Sequence, residues 1–209
     1  MGSKRDLPWA RDPSVEFRKA IPKDAEAILA LHKRWIKSPA VLLLGDDVIG
    51  YILEGLLSSS YSASYVAVVS GRVVGFLLVC KDYPRFVKSL LTPRFLLLVC
   101  RRFLQQPEIL CLASNLCLLI KERKVSHIRA REMGLVVDRE YQGKGIARVL
   151  NELWISEFRE EGREDIVRVY VPVSKRGVVS FMKRFWDVEW YGTVSLHGEL
   201  NHLFTLRGR

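Results

Sequence analysis

The 209-residue chain is predicted to fold as one mixed α/β domain. Three observations carry this. Short runs rich in β-branched and aromatic residues alternate with stretches of helical apolar spacing. One segment, residues 131–171, reads strand–helix–strand and implies at least one parallel crossover. Hydrophobic residues are 49% and charged residues 27%, enough apolar side chains for one buried core and too many for a disordered chain. The domain is expected over residues 13–209, with the polar, unpatterned residues 1–12 flexible.

Val15, Phe17, Lys19 and Ile21 alternate as in a strand, which Pro22 ends. Asp24 and Glu26 suit a first helical turn, and Ile28, Leu29, Leu31, His32 and Trp35 recur at helical spacing. A helix over about 23–36 is predicted, and a second over 48–57. Tyr65–Val69, Ser70-Gly71 and Val73–Val79 read as a hairpin. Arg131–Val137 and Ile166–Val171 are further strands. Between them Ile146, Leu150, Leu153, Trp154 and Phe158 mark an amphipathic helix, with Gly162 at its C-terminal end. A helix over 175–185 and two strands within 188–206, joined around His197-Gly198, complete the chain.

Residues 83–126 differ. Pro84, Pro93 and Pro107 each precede a Leu/Phe-rich run. Thr92-Pro93 pairs an N-cap residue with proline at the first helical position. Short helices over 85–91, 93–104 and 107–121 are predicted, forming a helical insert between the third and fourth strands.

Net charge is +10, and it is uneven: residues 81–131 hold eleven Lys/Arg against three Asp/Glu. Such a field favours an anionic partner. Coenzyme A, a sugar nucleotide, RNA and an anionic membrane all qualify on charge alone. The four cysteines, Cys80, Cys100, Cys111 and Cys117, lie among apolar residues with no metal-ligand spacing, so buried thiols and no metal are expected. No run reaches the length of a membrane span, and Met1 to Asp6 lacks an apolar signal core. A cytoplasmic location is the expectation.

Residues 134–147 carry the chemistry: Gly134-Leu-Val-Val-Asp138-Arg-Glu-Tyr141-Gln142-Gly143-Lys144-Gly145-Ile146-Ala147. A strand ends, a polar turn follows, and two glycines open a helix. Free backbone N–H groups and the helix dipole then converge on one point, which suits a phosphate or pyrophosphate. A nucleotide P-loop needs Ser or Thr after Lys144, where Gly145 stands. A dinucleotide fingerprint needs Gly or Ala at Arg148. What fits is Gln-x-x-Gly-x-Ala at 142–147.

At these residues, and at Val137-Asp138-x-x-Tyr141 before them, the chain resembles the GNAT (Gcn5-related N-acetyltransferase) superfamily. The resemblance covers roughly 15–80 and 129–190. It implies a mostly antiparallel twisted sheet with helices on both faces. It also implies acetyl-CoA as cosubstrate, with the amides of Gln142, Gly143, Lys144, Gly145, Ile146 and Ala147 on its pyrophosphate. The strand edge at Leu135, Val136 and Val137 would pair with the pantetheine arm, and an N–H near Val136 would polarise the thioester carbonyl.

Acyl transfer to an amine needs a base, because a free alkylammonium has a pKa of ~10.4. Glu132 is the candidate the resemblance implies; an ion pair with Arg131 or Arg129 is the competing reading. His127 is a second candidate base. The general acid of the family, a Tyr on the helix after the fifth strand, is replaced here by Met182, and Met cannot donate a proton. Tyr170 and Tyr191 are the substitutes considered.

The expected activity is N-acetyl transfer from acetyl-CoA to a primary amine, an amino sugar or sugar nucleotide among the candidates. A GNAT fold that binds acyl-CoA with little turnover and an RNA- or ribosome-associated acetyltransferase are the alternatives. The insert suits either core packing, a homodimer interface or a cover over the acceptor pocket. A peripheral membrane contact through its Leu and Arg faces is a weaker reading.

Overall fold

The computed structural model describes residues 14–35, 39–107, 127–196 and 199–208. Among them the order is β1 (Val15–Lys19), α1 (Ala25–Trp35), α2 (Pro39–Ser58), β2 (Tyr65–Val69), β3 (Arg72–Cys80), α3 (Tyr83–Leu90), α4 (Pro93–Gln105), β4 (Arg131–Val137), α5 (Ile146–Glu160), β5 (Ile166–Pro172), α6 (Arg176–Phe185), β6 (Asp187–Leu196) and β7 (Glu199–Arg207). The seven strands form one sheet in the order β1-β2-β3-β4-β5-β7-β6. Every neighbouring pair is antiparallel except β4 and β5. This is the mixed, mostly antiparallel α/β fold the sequence predicts, with α3 and α4 as the insert between the third and fourth strands.

Helices cover both sheet faces because the strands are apolar on both sides. On one face Leu77, Val79, Val167, Val169 and Phe204 pack with Leu150, Trp154 and Phe158 of α5 and Met182 of α6. On the other, Val66, Phe76, Leu78 and Val136 pack with Ile28 and Leu31 of α1, Leu56 of α2 and Phe86 of α3. Trp154 and Phe76 are fully buried, and each such side chain stabilises the fold by about 1.5–3 kcal/mol.

Several local signals act as read. The Thr92 hydroxyl accepts from the Phe95 N–H at 3.1 Å and caps α4. After α5, the Arg163 N–H bonds to the Phe158 carbonyl at 2.8 Å and the Gly162 N–H to the Arg159 carbonyl at 3.0 Å. That is the paired closure of a Schellman end.

Other expectations are corrected. The second helix begins at Pro39 rather than Val48, and Gly45 breaks it with φ 80° and ψ 165°. Cys80 is buried as expected, but Cys100 is exposed, because it lies on the side of α4 turned away from α2. The helix predicted over 107–121 lies outside the described residues but for Pro107, as do Cys111, Cys117 and the His197-Gly198 turn.

Candidate active site

The site grows from the way β4 leaves the sheet. β4 and β5 are paired at a single register position, Arg131 opposite Arg168, supported by the Arg168 N–H bond to the Ala130 carbonyl at 3.0 Å. β4 then continues to Val137 and β5 to Pro172 without further pairing. A wedge-shaped gap opens between two parallel strands, leaving backbone groups of β4 available.

Which groups face the gap follows from the β3–β4 register. The Asp138 N–H bonds to the Val74 carbonyl at 2.8 Å, and Val136 stands opposite Phe76 two residues earlier. Backbone groups alternate edges along a strand, so Val136 also turns its N–H toward β3. Leu135 and Val137 turn theirs toward the gap. Next to Val136, the N–H groups on the gap edge are thus those of Leu135 and Val137. The Val136 side chain is buried with Phe76 on the opposite face from α5.

At the head of the gap the chain turns through Gly143 (φ 76°) and Gly145 (φ 80°), then enters α5 at Ile146. Both conformations are left-handed and favour glycine. The Gly143, Lys144 and Gly145 N–H groups have no backbone partner among the described residues. Those of Ile146 and Ala147 lie in the first helical turn, where intrahelical acceptors are missing. Gln142 points back, its Nε2 donating to the Val137 carbonyl at 2.9 Å. This ties the loop to the open edge of β4. Lys144 Nζ stands 4.8 Å from the Tyr141 ring centre.

Two residues hold the cradle from below. A Cβ on Gly75 would come within 3.2 Å of Ile146 Cγ2 and 3.3 Å of the Val136 carbonyl oxygen, so glycine lets α5 sit close on β3. Asp138 is buried and receives Arg72 Nη2 at 2.8 Å and Arg34 Nη1 at 3.5 Å.

Glu132 lies opposite Val79, with Met133 bulged out of register between Glu132 and Gly134. Cross-strand partners share a face, so Glu132 lies on the α5 face with Leu77 and Val79. The ion pair proposed for it does not form with either arginine. Arg129 instead makes a two-pronged bond to Asp82 at 2.9 and 3.0 Å. Arg131 lies over two rings, 4.5 Å from the centre of Tyr83 and 4.3 Å from that of Tyr170. Burial pushes the Glu132 carboxyl up to about 7. A carboxylate poised there can take a proton near neutral pH.

The two candidate catalytic residues do not converge. Val169 and Val171 point into the core beneath α5, so Tyr170 between them points to the other face. There it packs with Ile128 and Leu203. Tyr191 belongs to the same cluster and donates to Glu189 at 2.8 Å. His127 is exposed, ahead of β4. Met182 is 4% exposed and packed in the core.

In the sequence His32 reads only as part of the apolar face of α1. Its ring stacks on Phe76, 6.3 Å between centres, and its Nδ1 is buried without a hydrogen-bond partner among the described residues. Burial lowers its pKa. A Cβ on Gly134 would stand 4.0 Å from the His32 ring. That is an ordinary contact distance, so Gly134 carries no signal of the ring beside it.

A family model described as the acetyltransferase (GNAT) family matches residues 16–185. The chain belongs to that family. Among solved structures, this GNAT chain is similar to Ard1 from Thermoplasma volcanium, at 16% identity and TM-score 0.56, covering 94% of this chain and 99% of that one. It is similar to a GNAT acetyltransferase from Streptococcus pneumoniae, at 15% identity and TM-score 0.53, covering 93% and 99%. It is also similar to the ribosomal-protein-S18-alanine N-acetyltransferase from Escherichia coli, at 11% identity and TM-score 0.53, covering 93% and 95%. At these identities the likeness is one of fold. No curated protein sequence matches the chain.

Among the described residues no helix of this GNAT protein is long and apolar enough to cross a membrane. Nor do three or more His, Cys, Asp or Glu side chains there gather as a metal site.

Proposed function

We propose that the protein transfers an acetyl group from acetyl-CoA to a primary amine, with an amino sugar or sugar nucleotide as the acceptor class to try first. The observation that carries this is the gap: β4 and β5 part after one register pair, and the gap leads directly to the Gly143–Gly145 loop. A gap between two parted strands, ending in N–H groups with no backbone partner among the described residues, fits an extended pantetheine arm ending in a pyrophosphate.

In this reading the amides of Gly143 to Ala147 hold the pyrophosphate, and Leu135 and Val137 bond the arm. The acceptor ammonium first loses a proton to Glu132, directly or through water. The amine nitrogen attacks the thioester carbon, and the developing oxyanion is held by the Leu135 N–H. The C–S bond then breaks, coenzyme A leaves as its thiolate, and the attacking nitrogen gives up its second proton to that thiolate or to water, leaving the neutral amide. An alkyl thiol has a pKa of ~8.5, so departure near neutral pH does not require a proton donor. Met182 in place of a hydroxyl is then tolerable, and Tyr170 has a packing role under Arg131.

The test is thiol release from acetyl-CoA across a panel of amines, amino sugars and sugar nucleotides. Release that depends on an acceptor supports the reading. Tight CoA binding with no release for any amine would instead favour the second reading, a GNAT fold that binds acyl-CoA with little turnover. The buried, non-donating Met182 is the observation behind that alternative.

A further inference from the structure

We propose that the outer face of α4 docks on a membrane surface of anionic phospholipid. Pro93, Leu96, Leu97, Cys100 and Leu104 recur at the spacing that puts them on one side of the helix. Leu96, Leu97 and Leu104 are 51%, 70% and 82% exposed, and Leu91 just before the helix is 58% exposed. Among the described residues, four of the nine exposed large hydrophobics thus fall within residues 91–104, which makes a patch rather than scatter.

Among the described residues this stripe stays exposed. α4 is held to α2 by its other side, where Phe95 stacks on Tyr51 with ring centres 5.6 Å apart. Arg102 Nε on the same side donates to the Leu43 carbonyl at 2.9 Å.

Charge selects the occupant. Between residues 83 and 107 there are five Lys/Arg and no Asp or Glu. Arg85, Lys88, Arg94 and Arg101 are exposed. Arg85 also reaches Asp82 at 3.6 Å, and Arg94 lies 5.5 Å from the Tyr51 ring centre. Arg94 and Arg101 border the leucine stripe on one side. An apolar ridge with a cationic margin fits a lipid interface, which takes leucines among its chains and cations at its phosphates. RNA would satisfy the cations and leave the leucines in water. A second copy on the same stripe would set cation against cation.

The experiment is sedimentation of the full-length protein with phosphatidylcholine vesicles, with and without phosphatidylglycerol, at low and high salt. The expected result is binding that requires phosphatidylglycerol and weakens with salt. The double change Leu97→Glu, Leu104→Glu should lower the partition coefficient roughly tenfold or more. The pair Arg94→Gln, Arg101→Gln should weaken it too. CoA affinity by calorimetry should stay unchanged in both variants, which shows that the fold is intact. Equal partition of the leucine variant and its parent overturns the proposal. So does failure to bind anionic vesicles, whether the stripe then proves to hold a dimer that Leu97→Glu dissolves or to bind RNA.

Discussion

Arg131 and Arg168 face each other as the single register pair between β4 and β5. On one side of that pair the Arg168 N–H bonds to the Ala130 carbonyl, and on the other the strands part into the gap. The Arg131 guanidinium, set over the rings of Tyr83 and Tyr170, ties this junction to the insert through α3.

Replacing Gly145 by Glu should abolish CoA binding while leaving the fold largely intact. The residue sits at φ 80°, where a side chain costs ~1–2 kcal/mol, and the new carboxylate would oppose the pyrophosphate. Calorimetry with CoA reads the first effect, and circular dichroism the second. Unchanged affinity would remove the loop from the site.

Glu132→Gln should lower kcat about 10²–10⁴-fold. The parent enzyme should gain activity as pH rises through about 7, the level to which burial pushes this carboxyl, and then level off. In the variant that limb should vanish. Stability should move the opposite way. A carboxyl with a raised folded-state pKa holds its proton more tightly when folded, so stability is lost as pH rises from about 4.5 to about 7. Glu132→Gln should therefore stabilise the protein above pH ~7 by about 2–3 kcal/mol, with little effect below pH ~4.5. Denaturant melts at the two pH values check this.

Tyr170→Phe should change kcat less than about fivefold, since its ring faces away from Glu132. Steady-state rates at saturating acetyl-CoA decide it. A loss of 10²-fold or more would return Tyr170 to the role of proton donor.

Glu157→Ala should cost about 3–5 kcal/mol of stability. Glu157 accepts from Lys19 at 2.8 Å and from the Tyr65 hydroxyl at 2.5 Å, and pairs with Lys81 at 2.7 Å. Lys81 is buried and, among the described residues, would keep only Glu161 as an ion-pair partner. Chemical denaturation measures the loss. A change under ~1 kcal/mol would show that the cluster contributes little.

The shape of the loop before α5 was legible in the sequence because its information is local. Gly143, Gly145 and the start of α5 lie within a few residues, and backbone conformation needs no distant partner. The cap at Thr92 was legible for the same reason. What could not be read depends on contacts between remote segments. The Met133 bulge sets which β4 groups face the gap, and it exists only through pairing with β3. The side of α4 that Cys100 occupies depends on how α2 packs. The bond between Lys19 and Glu157 joins residues 138 apart in the chain. The start of α2 before Gly45 was hidden because Gly45-Asp46-Asp47 interrupts the apolar run there.

A crystal structure with CoA tests the central claim most directly. The account predicts the pyrophosphate on the N–H groups of Gly143 to Ala147, and the pantetheine arm hydrogen-bonded to the backbone of Leu135 and Val137. CoA bound elsewhere, or β4 and β5 paired along their whole length, would contradict it.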